Sequence, residues 1–342
     1  MSDRAPTISV VICCYADERF DDTLAAVDSV RRQSSRPLEV AVVVDHNAGL
    51  LERVRAARPD VLTVPSTEPQ GLSGARNTGI AVTRGDIVAF LDDDAAAEPD
   101  WLEHIAAPYA DENVAGVGGA ILAAWRQGRP PWFPEEFDWV VGCTYRGLPT
   151  QPAALRNLIG ANMSFRRSVL EAAGGFAIEM GRTGSYPLGN DDTEFSIRAQ
   201  RMFPGQVLYY EPRARVQHTV PAARSSWRYF RTRCFAEGLA KASLTAVSGS
   251  AESLSSERAY VARVLPRGVG RGLADVLAGD AAGAKRSLAI VSGLLITAAG
   301  YATGRSRTVA GAARSSRRLP APGVGETPEP GAPEQEDGRP SP

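Results

Sequence analysis

Three consecutive carboxylates, Asp92, Asp93 and Asp94, follow the apolar run Ile87–Leu91. Such a cluster repels itself unless positive charge sits within it, and a hard divalent cation with oxygen ligands is the natural counter-charge. A manganese or magnesium ion held there would suit a reaction in which a diphosphate leaves; the plainer alternative is an acidic surface turn. A second cluster, Gln70 to Gly79 (QGLSGARNTG), has small residues at 71, 73, 74 and 75, which let backbone approach a ligand closely. The helix start that follows offers free N–H groups, and Arg76 offers a planar cation suited to phosphate. Glycine loops before helices are common, however, and this one lacks the GxxxxGK[ST] spacing of a phosphate loop. Asp191 and Asp192 open a third acidic site. A carboxylate there could take the proton from an attacking hydroxyl, although acids also favour helix starts for electrostatic reasons alone.

These residues need elements to hold them. Ile8 to Cys14, Leu38 to Val44, Val61 to Val64 and Ile87 to Leu91 are apolar runs of strand length, the second ending at Asp45 and the fourth at Asp92. Helical segments lie between them, at Asp22 to Gln33, Leu50 to Ala57 and Gly74 to Val82. The alternation predicts the α/β class, with a mostly parallel central sheet flanked by helices. Ligands of such sheets gather at the carboxyl ends of the strands, where Asp45 and Asp92 to Asp94 stand.

Beyond Trp101 the spacing predicts a strand over Val114 to Ala124, a loop over Arg129 to Asp138 and a further unit over Leu155 to Arg166. Helices follow over Arg167 to Ala173 and Thr193 to Met202, with a strand at Val207 to Tyr210. Trp132 and Trp139 suit either core packing or stacking on a sugar ring or an isoprenoid chain. Phe176 to Tyr186 is poor in apolar residues, and its Arg182 could clamp phosphate. The organisation expected is a catalytic domain over 1–222, a helical extension over 223–305, and a basic then Pro-rich disordered tail over 306–342.

In this order the motifs resemble glycosyltransferase family 2, from about Ile8 to about His218 and more loosely to Ala242. The resemblance implies the GT-A (Rossmann-like) fold and an inverting transfer of sugar from a nucleotide-sugar donor, uridine diphosphate by default, to an acceptor hydroxyl. It implies Tyr15 near the base, Asp45 on the pyrimidine, and Arg76 with Asn77 beside the donor. FLDDDA places Asp92 and Asp93 toward ribose and sugar, with Asp92 and Asp94 on the metal. GNDDTEFSIR resembles the segment whose second acid is the general base, here Asp192, with Asp191 standing where glutamate is usual. GANMSF puts Asn162 near the donor sugar, and His218 joins the metal or the diphosphate. Acceptors of similar enzymes are often lipid-linked, and others are polysaccharides or glycoconjugates.

With 38 basic and 39 acidic side chains the chain lacks the basic excess of a nucleic-acid binder. Four cysteines without CxxC spacing, and a polar opening from Met1 to Pro6 unlike a signal peptide, make the expected compartment cytoplasmic. Leu288 to Gly304 is 17 residues without charge, with Lys285 and Arg286 before it and five arginines from Arg305 to Arg318 after it. That length is at the short limit for a span, and a single crossing would export the arginines. Two alternatives remain: peripheral contact through 287–318 with the inner face of the membrane, or a helix packed in the core. Two functional rivals also stand beside the transferase: a non-catalytic sugar-nucleotide or glycan-binding protein, and a sugar nucleotidyltransferase. The acidic Tyr15 to Glu18, where the latter carries a basic glycine-rich signature, counts against it.

Overall fold

The computed structural model describes residues 6–180, 191–248 and 258–316. Arg182, Gly189, Asn190 and the Pro-rich tail lie outside the described residues. The N-terminal half alternates as its apolar runs predict: β1 (Ile8–Cys14), α1 (Phe20–Arg31), β2 (Glu39–Val44), α2 (Ala48–Ala57), β3 (Leu62–Pro65), α3 (Leu72–Val82) and β4 (Ile87–Asp92). The four strands are parallel, in the order β3-β2-β1-β4. Val10, Val11 and Ile12 of β1 are completely buried, because helices cover both faces. Asn47 starts α2 by accepting from the Leu50 N–H at 3.0 Å. Gly79 lets α3 lie directly on β1, since a Cβ there would stand 2.3 Å from Val11 Cγ1.

The second half widens the sheet. β5 (Ala95–Ala97), α4 (Trp101–Ala106), β6 (Val114–Trp125), a 3-10 segment (Glu135–Val141), β7 (Ala153–Leu155), β8 (Asn162–Arg166), α5 (Arg167–Ala172), α6 (Asp191–Met202) and β9 (Val207–Val220) follow. The nine-stranded sheet runs β3-β2-β1-β4-β8-β6-β9-β5, with β7 also on β9. β8 is antiparallel to β4 and β6, whereas β6 and β9 are parallel. β9 extends ten residues past the expected Tyr210. Pro212 and three charged neighbours break its apolar pattern, but pairing with β6, with a register shift at Gly119/Ala120, and then with β5 carries the strand through.

The C-terminal extension is α7 (Trp227–Ser248), α8 (Leu265–Leu277) and α9 (Ala282–Ser316). α9 is longer than its uncharged stretch implies, so the expected boundary at 305/306 falls inside a helix. Gly238 and Gly300 let α7 and α9 touch backbone to backbone: a Cβ on Gly238 would stand 2.1 Å from Thr297 O, and one on Gly300 2.2 Å from Phe235 O. Phe133, Phe137 and Phe230 are buried together, with Trp132 and Trp227 against them, and this aromatic cluster seats α7 on the sheet-containing part of the chain. Arg271 of α8 pairs with the buried Glu136. The outward side of α9 presents Ala284, Leu288, Val291, Leu295, Ala298 and Ala302, all exposed and all apolar.

Candidate active site

The carboxyl ends of β1, β2 and β4 bring the first residues together. Asp45, just past β2, accepts from the Gly71 N–H at 3.0 Å, which ties the glycine loop to the sheet. That amide can reach it because Gly71 has φ 138°, a conformation open to glycine. His46, with φ 51°, turns its Nδ1 onto Asp45 Oδ1 at 2.8 Å. Tyr15, past the end of β1, is exposed beside this group. The three form an open shelf at the sheet edge.

The acidic triplet divides into three roles. Asp92 faces outward and lines a cavity of about 370 Å³. Asp93 is buried and receives Arg19 NH1 at 2.8 Å. Burial, with repulsion from its acidic neighbours that Arg19 offsets only in part, pushes Asp93 up to about 7. Part of the counter-charge demanded by three carboxylates is therefore an arginine from the loop after β1. Asp94 lies between β4 and β5, where the pairing of Ala95 with His218 sets His218 Nε2 3.1 Å from Asp94 Oδ1. Arg19 and Arg224 approach its other oxygen at 3.3 and 3.4 Å. Burial opposes ionisation of Asp94, yet His218 and the two arginines hold it well below the usual carboxylate range. Burial also opposes the charge on His218, but Asp94 outweighs it and pushes the imidazole up to about 10.

Asp92, Asp94 and His218 offer ligand atoms that all lie within 4.8 Å of one another. Around an octahedral Mg²⁺ or Mn²⁺, ligand atoms stand roughly 3 to 4.5 Å apart. Asp94 Oδ1 is buried with His218 Nε2 3.1 Å away. Two acidic oxygens and one imidazole nitrogen suit such an ion, so the residues fit.

Across the cavity, α6 begins with the second pair of acids. Asp191 is buried and accepts from Arg76 NH1 at 2.7 Å and Ser73 Oγ at 3.3 Å. Arg76, itself buried, donates also to Gly160 O at 3.2 Å and stands 3.8 Å from Asp92. It is the tie between the glycine loop, β4 and α6. Asp192 faces the cavity and accepts from the Gly160 N–H at 2.9 Å and the Thr193 N–H at 2.6 Å. Burial and the neighbouring Asp191 push it up to about 6, above the ordinary carboxylate value.

Two expected site residues are placed elsewhere. Asn77 exchanges both ends of its amide with the Phe176 backbone, at 2.9 and 2.8 Å, away from the acids. Asn162 is wholly buried: it accepts from Trp101 Nε1 at 2.8 Å and donates to Ala214 O and Ala120 O at 2.8 and 3.1 Å. Conversely, Arg19, Arg224 and Cys143, whose Sγ lies 3.7 Å from His218 Nδ1, carried no sequence signal. Of the two tryptophans, Trp132 joins the aromatic cluster under α7 and Trp139 lines the cavity.

A mostly parallel sheet whose carboxyl ends face paired acids is the arrangement of a GT-A glycosyltransferase. Residues 9–174 match the family model described as glycosyl transferase family 2. The chain is 35% identical over 238 residues to the glucosyl-dolichyl phosphate glucuronosyltransferase of Haloferax volcanii, covering 68% of this chain and 76% of that protein. It is 26% identical over 246 residues to the succinoglycan biosynthesis protein ExoM of Rhizobium meliloti, covering 70% and 75%. Its fold is similar to that of the mannosyltransferase PcManGT from Pyrobaculum calidifontis, solved with GDP-Man and Mn2+. The TM-score is 0.54 at 19% identity, over 86% of this chain and 88% of that one. The chain belongs to glycosyltransferase family 2. Membership decides for the transferase against both rival readings.

Proposed function

We propose that this enzyme is an inverting, divalent-metal-dependent transferase that moves sugar from a nucleoside-diphosphate sugar to a hydroxyl of a lipid-linked saccharide. The observation that carries the reading is that Asp92 and Asp192 face one cavity from opposite elements, β4 and α6. Asp191 is held by Arg76 and Ser73, which leaves Asp192 with a pKa near 6 to take the acceptor proton at Oδ1 or Oδ2. The deprotonated oxygen then attacks the anomeric carbon opposite the leaving diphosphate, and a single displacement inverts that centre.

Asp92, Asp94 and His218 would hold Mg²⁺ or Mn²⁺, and when bound this ion neutralises charge on the departing diphosphate. With that charge neutralised, no side-chain acid is needed at the leaving oxygen, unlike in a glycoside hydrolase. Uracil is the proposed donor base by resemblance to the family, whose members use the acid at the position of Asp45 on the pyrimidine. The mannosyltransferase neighbour carries a guanosine nucleotide, so the base is a matter for direct comparison.

The lipid-linked acceptor is supported by the dolichyl-phosphate relative and by α9. A helix facing water is expected to be polar on its outer side. The outer row of α9 is apolar, and of its most apolar window only 28% is buried. Lys285 and Arg305 lie near the ends of that row. This suits a helix lying in the surface of an anionic leaflet on the cytoplasmic side.

Thermal-shift binding of uridine, guanosine and thymidine diphosphates, each with manganese, magnesium or chelator, tests the reading. Stabilisation by one nucleotide, dependent on metal and lost in Asp94→Asn, is the expected result. A folded protein that no nucleotide stabilises with metal would overturn it.

A further inference from the structure

The same cavity reaches well beyond the acids, into the C-terminal helices. Its far walls include Tyr260, Val261, Leu265 and Leu294, together with Phe137 and Trp139 from the 3-10 segment. Aromatic faces alone would suit a sugar chain, but the aliphatic side chains offer a polysaccharide no hydrogen bonds and strip its hydroxyls of water. The lining also includes Arg156 and one face of α7, where Arg233, Glu237 and Lys241 follow at intervals of four residues. Lys241 Nζ is 3.2 Å from Glu237 Oε1, and Arg156 and Arg233 add two further cations. Among the described residues this part of the lining carries three cations, Arg156, Arg233 and Lys241, beside Glu237.

A lipid-linked saccharide presents these three chemistries in covalent sequence: a hydroxyl-bearing sugar, a phosphate and a hydrocarbon chain. We propose that the cavity is the subsite for the carrier end of the acceptor. Arg233 and Lys241 read the carrier phosphate, and Val261, Leu265 and Leu294 receive the first isoprenoid units. The inference rests on the lipid-linked acceptor proposed above. A volume of about 370 Å³ is at the small end of ligand sites, so it holds the head of such a carrier, with the remaining chain outside. α9, which contributes Leu294 and Thr297 to this lining, also carries the bare apolar row, so one helix serves both the head and the membrane that holds the tail. Acceptor choice thus belongs to the helical extension, and donor choice to the sheet.

The test is binding of farnesyl phosphate, farnesol and inorganic phosphate to the full chain saturated with manganese and its nucleotide. Farnesyl phosphate should bind at least about tenfold more tightly than either farnesol or inorganic phosphate. Arg233→Ala combined with Lys241→Ala should bring its affinity down toward that of farnesol. Val261→Trp, which fills the cavity, should weaken both lipids. Retained stabilisation by metal and nucleotide serves as the control for folding in each variant. Equal binding of farnesyl phosphate and farnesol, or wild-type affinity in both variants, would overturn the proposal. Failure of the unmodified protein to bind any nucleotide would instead strike the donor reading, and farnesyl phosphate would still report on this one.

Discussion

The two acids at the start of α6 are neighbours in sequence and opposites in circumstance. Asp191 answers a buried guanidinium, whereas among the described residues Asp192 accepts from backbone N–H groups and the Thr193 hydroxyl on the cavity side. Replacing Asp192 by Asn should lower turnover roughly a hundred- to ten-thousand-fold while metal-dependent nucleotide binding persists. A single-turnover assay beside a thermal shift separates the two effects. The proposed base works as a carboxylate and Asp192 is pushed up to about 6, so the rate should climb through about pH 6 and level off above pH 7. At about pH 5 only about a tenth of the plateau rate remains, because about a tenth of the base is ionised. A rate independent of pH between 5 and 8 would remove Asp192 from that role. Arg19 carries a different expectation. Arg19→Gln would leave two buried carboxylates short of a partner, and a loss of about 2 kcal/mol or more in denaturant unfolding is expected.

At the scale of elements, α7 and α9 are pressed together by absence of side chain. Gly300→Leu places atoms where the Phe235 carbonyl stands, and about 1 to 3 kcal/mol of overpacking should appear as a lower melting temperature. Nucleotide binding should survive, because the donor shelf lies on the sheet. Much of this architecture was legible in the sequence. β1 to β4 read directly because each is an apolar run covered on both faces, and Asp45, Asp92 and Asp94 stood out because strands end there. The first part of Arg129 to Asp138 read correctly as loop, but its end begins the 3-10 segment that lines the cavity. The lower part of β9 was illegible for a physical reason: Pro212, Arg213 and Arg215 break the period, and only pairing with β6 and β5 makes it a strand. Arg19 reaches Asp94 through the pairing of β1 with β4, and Arg224 through the course of β9, so no local spacing announces them. Asn77 and Asn162 stand within recognisable motifs, yet backbone groups and Trp101 engage their amides, which only the folded chain reveals.

For the whole molecule, the bare row on α9 is the proposed meeting point with lipid. Leu288 and Leu295 are 66% and 64% exposed, so charging them should leave the fold intact. Leu288→Glu with Leu295→Glu should weaken sedimentation with anionic vesicles more than about tenfold, and neutral vesicles should bind the unmodified protein less well. Unchanged sedimentation would mean that another surface meets the lipid. The route of the chain adds a further consequence. β9 ends at Val220, two residues past His218, and α7 begins at Trp227, so the proposed donor site and the proposed acceptor wall are joined by one short stretch. In descent, a crossover at this seam would trade one acceptor for another and leave the sugar unchanged. Such a crossover would have to carry Glu135–Val141 with it, since Glu136 holds Arg271 and a Cβ on Gly293 would stand 2.4 Å from Phe137. Inherited together, the two stretches would bring a new acceptor wall; one alone would bring a wall that does not close.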